Sequence, residues 1–267
     1  MTIALTLTNL RVAEHPGGAL VVGPSLGTAV APLWSRCVDH LPLDLTVVGW
    51  DLPGHGGSPP HDAPFTVEDL AGAVVQATEE LRDDATGMVL YAGVSLGGAV
   101  GLALAIDHAQ GFDGIVGIAA GARIGEPDAW HERAELVRRA GTPVMVEVSA
   151  KRWFAPGAIE RDPATAAALL DSLQEADRLS YARCCEALAV FDARDALGAV
   201  ELPVLALAGE HDPVATLEMA ETVAAATGGT ARTIGGAAHL PPADQPAATA
   251  HEITEFLMGP VAEASAW

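Results

Sequence analysis

The chain has 267 residues, half of them hydrophobic and 4% aromatic, with a formal net charge of −21. That length suits one large domain with a core of small and branched side chains. So acidic a surface, with no long basic stretch, argues against nucleic acid and anionic membranes as partners.

The elements follow in chain order from hydrophobic periodicity and turn residues. Residues 4–12 alternate apolar and polar, as an exposed strand does. The Pro16-Gly17-Gly18 turn leads into a short apolar strand at 19–22, and 32–41 reads as a helix. Residues 45–50 form another apolar strand that ends on Asp51. Thr66, followed by Glu68 and Asp69, opens a helix predicted to run to 82, with the acids at the favourable end of its dipole. A strand at 88–92, a helix at 97–108 and a strand at 114–119 follow. From 123 to 194 the pattern turns helical and more charged. The alternation then resumes: strand 204–207, helix 217–226, strand 231–234, helix 245–257. This order predicts an α/β fold, a mostly parallel sheet flanked by helices. Its core is 1–122 and 195–267, and 123–194 is inserted as a helical cap.

Three cysteines, Cys37, Cys184 and Cys185, make no disulfide framework. The N-terminal residues lack a basic region followed by a long apolar one, and no apolar run reaches the length of a membrane span. A cytoplasmic protein with free thiols is expected.

The chemistry concentrates around Gly93-Val94-Ser95-Leu96-Gly97. This G-x-S-x-G stands between a predicted strand and a predicted helix, the setting of a nucleophile elbow. The sharp turn demands tiny residues two before and two after the serine, and Gly93 and Gly97 supply them. A serine hydroxyl is a weak nucleophile and needs a base. In such enzymes an acid and then a histidine follow in the chain. His239 comes after Gly235-Gly236-Ala237-Ala238, in a loop at the C-terminal end of a strand, and is the expected general base. Asp212, in Gly209-Glu210-His211-Asp212-Pro213, is the expected acid; Glu210 is its rival, and His211 competes with His239. An oxyanion hole needs two backbone N–H groups. Leu96 and Leu26 are expected to supply them, Leu26 from the loop Gly23-Pro24-Ser25-Leu26-Gly27-Thr28. That loop has neither G-x-G-x-x-G nor a Walker lysine, so it does not predict a nucleotide site, and the reaction needs no metal or cofactor. His55, in the glycine-rich stretch 51–58, reads as loop structure.

Taken together, the elbow, Asp51-x-Pro53-Gly54-His55-Gly56-x-Ser58, Gly209-x-x-Asp212 and the late His239 resemble the α/β-hydrolase superfamily over nearly the whole chain. Three further segments resemble the 3-oxoadipate enol-lactonases: Pro24 to Thr28, Lys151-Arg152-Trp153-Phe154-Ala155-Pro156-Gly157, and Ser180 to Leu188 with Phe191-Asp192. Pro53 departs from that family, which commonly carries arginine there. The resemblance implies hydrolysis of a small lactone bearing a carboxylate, in aromatic catabolism. Ser25, Arg152 and Trp153 are the expected substrate contacts, with Arg152 pairing with the carboxylate and Trp153 walling the pocket. Ten of the fourteen Lys and Arg residues fall within 123–194, which would ease the approach of an anion. A carboxylesterase, another lactonase or a perhydrolase remains open, as does a hydrolase-like small-molecule receptor. Oligomeric state is not legible.

Overall fold

The computed structural model describes residues 3–84 and 87–264. The first half comprises β1 (Leu7–Arg11), β2 (Gly18–Gly23), α1 (Val30–Val38), β3 (Leu45–Trp50), α2 (Val67–Ala77), α3 (Glu79–Asp84), β4 (Met88–Val94), α4 (Leu96–Asp107) and β5 (Gly114–Ile118). A helical segment follows: α5 (Pro127–Ala140), α6 (Val146–Trp153), α7 (Ala158–Arg161), α8 (Pro163–Glu175) and α9 (Arg178–Val190). The chain closes with β6 (Val204–Gly209), α10 (Leu217–Thr227), β7 (Thr230–Ile234), α11 (Pro241–Asp244) and α12 (Pro246–Phe256).

The strands form one seven-stranded sheet in the order β1-β3-β2-β4-β5-β6-β7. Only the β1–β3 pair is antiparallel. Sequence explains which strands are central. β2, β5 and β6 are buried at every position, and β4 at all but its first, as continuous apolar runs covered on both faces must be. β1 and β7 keep partly exposed, mixed sequences and lie at the edges. α4, with Leu96 to Ala105 buried throughout, carries glycines and alanines that let it lie close against the sheet.

The helix expected from Thr66 to 82 is broken. Its start is a capping box, in which Thr66 and Asp69 each accept the other's backbone N–H. At Thr78 the hydroxyl donates back to the Val74 carbonyl at 2.8 Å, the backbone leaves helical angles, and α3 begins as a separate turn. The remaining predicted elements match to within a few residues. α11 was not anticipated, since its Pro241-Pro242 start reads as a turn.

Strand order reverses between β2 and β4, so the chain leaves their carboxyl ends in divergent directions and opens a crevice there. The helical segment enters from β5 and returns to β6, which are neighbours. Its two stems are tied by an Ala193 N–H to Ala122 carbonyl bond of 2.8 Å. Cys37, Cys184 and Cys185 are free and buried. Among the described residues no helix is long and apolar enough to cross a membrane.

Candidate active site

Gly23 and Gly93 are register partners at the crevice, so the loop after β2 and the turn after β4 emerge side by side. Ser95 occupies that turn with φ 55° and ψ −111°, a strained conformation for a residue with a Cβ. The glycines around it are sterically required. A Cβ on Gly93 would drive into the Gly97 carbonyl, one on Gly97 would lie 2.5 Å from the Pro24 carbonyl, and one on Gly98 would lie 2.5 Å from the Ala120 Cβ. The Ser95 N–H donates to Ile118 O at 2.8 Å, and the Gly97 N–H to Pro24 O at 3.0 Å, locking the elbow to both neighbouring loops. The Leu96 N–H opens α4 and so has no intrahelical acceptor. Neither it nor the Leu26 N–H finds an acceptor among the described residues.

β6 and β7 deliver the other two groups. Gly209 lets β6 come against the carbonyl of Ala238, which a side chain there would strike. The His211 N–H donates to Ala237 O at 2.8 Å and joins the two loops. Asp212 is buried; its Oδ1 accepts the Val214 N–H at 2.7 Å, and its Oδ2 accepts from His239 Nδ1 at 2.8 Å. A carboxylate only accepts, so Nδ1 carries a proton and Nε2 is the ring nitrogen available for base chemistry. Glu210, the rival acid, is half exposed and spends its carboxylate on the Gly236 N–H at 2.8 Å. His211 lies on the same exposed side, 3.9 Å from Glu210.

Ser95 and His239 line one pocket of about 290 Å³ with Ser25, Leu26, Arg152 and Trp153. The structure makes no direct Ser95–His239 hydrogen bond among the described residues; such bonds commonly tighten only when substrate binds. Gly27, in the loop after β2, has φ +90°. A side chain on it would meet Leu173 at 2.7 Å and Trp153 and Tyr181 at 3.4 Å, so the helical segment sits directly on this loop.

The pocket also contains residues that the sequence did not single out: Trp130, Arg133, Ser149 and Tyr181. Arg133 stacks over the Trp130 ring at 4.7 Å. Burial and the nearby Arg133 guanidinium pull the Arg152 pKa down, while Tyr181 raises it. Three other half-buried arginines of the segment, Arg123, Arg138 and Arg183, each hold a carboxylate. Among the described residues neither Arg133 nor Arg152 makes an ion pair, and the carboxylate that lines the pocket with them, Glu126, is held by Arg123 at 2.8 Å. Trp130 and Arg133 are three apart on an amphipathic helix, a spacing that marks a shared face but not what that face covers.

The Asp51 loop is structural. Its carboxylate accepts the Val30 and Gly57 N–H groups at 2.7 and 2.9 Å. His55 is buried outside the pocket, and its Nδ1 donates to the Pro53 carbonyl at 2.8 Å.

A family model described as serine aminopeptidase, S33, matches residues 41–245. The chain belongs to the α/β-hydrolases. Among curated relatives it is 34% identical over 215 residues to 3-oxoadipate enol-lactonase 2 of Acinetobacter baylyi, covering 80% of this chain and 78% of that one. It is 32% identical to that organism's 3-oxoadipate enol-lactonase 1, over 74% of this chain and 73% of that one. Among solved structures, the enol-lactonase from Burkholderia xenovorans LB400 superposes with a TM-score of 0.84 at 29% identity, over 96% of each chain. A malate-bound thermophilic esterase from Thermogutta terrifontis gives 0.85 at 25% identity, over 95% of this chain and 93% of that one. This α/β-hydrolase is an enzyme of the ester- and lactone-cleaving kind.

Proposed function

We propose that this α/β-hydrolase opens 3-oxoadipate enol-lactone to 3-oxoadipate, a step in the breakdown of aromatic compounds, and that residues 123–194 are the cap that selects this anion. The observation that carries the reading is the shared pocket. It places a strained serine, a carboxylate-held histidine and two arginines without carboxylate partners around one space sized for a small molecule. The A. baylyi relatives carry that lactone in their names, and the T. terrifontis esterase is described with malate, another small carboxylate.

In this mechanism His239 Nε2 takes the proton of Ser95 as Oγ attacks the lactone carbonyl. The Leu26 and Leu96 N–H groups hold the oxyanion, and the dipole of α4 adds to them. The ring C–O bond then breaks, its oxygen takes the proton from His239, and the enol so formed becomes the ketone. The acyl chain stays on Ser95. Water gives a proton to His239 and attacks the ester, and Ser95 leaves with that proton. Asp212 keeps the imidazole oriented and stabilises it while charged. Arg152 holds the substrate carboxylate, with Trp153 and Ser25 walling the pocket.

The test is kinetic. Wild type should clear enol-lactone at a kcat/KM at least ~10³-fold above Ser95→Ala, and Arg152→Ala should raise KM for the lactone while sparing neutral p-nitrophenyl esters. Equal rates for wild type and Ser95→Ala refute the assignment. A wild-type preference for neutral esters favours a small-acyl carboxylesterase, the reading to which the T. terrifontis likeness points.

A further inference from the structure

We infer that Asp244 is a positioning residue: its buried carboxylate fastens the histidine loop to the helical segment, so that one group sets both His239 and the pocket wall. The inference rests on His239 being the general base. Asp244 ends α11, the single turn that follows His239, and is buried. Its Oδ2 accepts two backbone N–H bonds from distant parts of the chain. One comes from Ala238, directly before His239, at 2.8 Å; the other comes from Ala155, two residues after Trp153, at 2.9 Å.

The surrounding contacts close the same seam. The His239 N–H points to the Arg152 carbonyl at 3.4 Å. Ala155, Ala158 and Ala238 pack into a small apolar cluster with Phe154 against it. The Arg161 guanidinium reaches the Asp244 carbonyl at 3.4 Å. Backbone that carries the base and backbone that carries Arg152 and Trp153 are thus joined through one side-chain oxygen. No feature of the proton transfer requires Asp244, and it lies outside the pocket lining. Its effect on rate acts through where His239 sits, and a misplacement near 1 Å is enough to cost about 10²-fold.

Turnover of p-nitrophenyl acetate reads this, because a neutral ester does not depend on Arg152. Asp244→Ala should lower kcat about 30-fold. Asp244→Asn keeps an acceptor oxygen at the same place and should stay within about threefold of wild type. Asp113→Ala is the control. Asp113 also accepts a backbone N–H, from Val89 at 2.6 Å, but at the start of β4, and its loss should leave kcat alone. Amide exchange gives a second readout: Asp244→Ala should lose protection at Ala155 and Ala238 together. Should Asp244→Ala not fold, Asp244→Asn decides, since its neutral and weaker acceptor should lower protection at both Ala155 and Ala238. Unchanged protection at either amide in Asp244→Asn, or wild-type kcat in a folded Asp244→Ala, overturns the inference. His239→Ala separates the premises. If it hydrolyses the ester as fast as wild type, the base assignment fails and the positioning role falls with it. If it is inactive while Asp244→Ala is fast, only the positioning role fails.

Discussion

His55 should make folding stability fall in mild acid, and substituting it should remove that dependence. Its ring is buried and stacked on Tyr181, with centroids 5.9 Å apart and planes 23° apart. Nδ1 donates to Pro53, and Nε2 is buried without a partner among the described residues. Burial pushes its pKa down from 6.5 to about 4, against the smaller upward pulls of the Pro53 carbonyl and Asp177. Between those two values the unfolded chain binds a proton at this ring and the folded chain does not. Stability contributed there is therefore intact above pH 6.5, declines as pH falls through the window, and is flat again below about pH 4. The gap corresponds to roughly 3 kcal/mol in total, with a slope of at most about 1.4 kcal/mol per pH unit. Asp51 and Asp244 act in the opposite direction, because burial raises their carboxyl pKa values. The informative quantity is thus the difference between wild type and His55→Asn, whose amide can still reach Pro53. Urea unfolding followed by tryptophan fluorescence from pH 4 to 7.5 measures it. His55→Asn should be less stable at pH 7.5 through lost packing, and the two curves should converge toward pH 4. Parallel curves would refute the reasoning.

Two further outcomes follow from glycine sterics and thiol burial. Gly93→Ala should cost more than ~3 kcal/mol or prevent folding, because its Cβ meets backbone that cannot retreat. Gly72→Ala, in α2 with open space around it, should gain up to about 1 kcal/mol. Thermal denaturation compares them, and a well-folded Gly93→Ala with an unchanged midpoint contradicts the elbow geometry. The thiols should resist a disulfide reagent at pH 8 in the native state and react fully in denaturant. Burial raises Cys37 and Cys185 to about 12 and holds Cys184 well above the usual thiol value, so little thiolate exists. Rapid native labelling would contradict that burial.

How much of this was legible in the sequence depended on whether local chemistry decided the outcome. The elbow was readable because a serine with Gly93 and Gly97 around it satisfies a steric demand that few other turns impose. The meeting of Asp212 with His239 was readable because both sit just past strand ends, where a parallel sheet gathers its loops. Between Asp212 and Glu210 the local pattern favoured Asp212, but the contact that separates them, Glu210 holding Gly236, is tertiary. The break at Thr78 hinged on one hydroxyl bond that periodicity does not register. Trp130, Arg133 and Tyr181 stayed hidden because which helical face covers the pocket is set by how the segment docks, not by its own pattern. Asp244 carried no local signal, because its two N–H partners lie 6 and 89 residues away.

The hydrogen bond between Ala122 and Ala193 has a consequence for how such a chain changes over time. The segment's ends meet at a neck between adjacent strands, so the sheet already fixes their separation, and a replacement of different length costs little extra closure entropy. Ser95, Asp212 and His239 all lie outside that neck, while Arg133, Arg152, Trp153 and Tyr181 lie within it. On the proposed roles of these residues, the stretch between 122 and 193 would form an exchangeable cassette, and grafting another hydrolase's helices there would alter which ester is accepted without redrawing the apparatus that cleaves it.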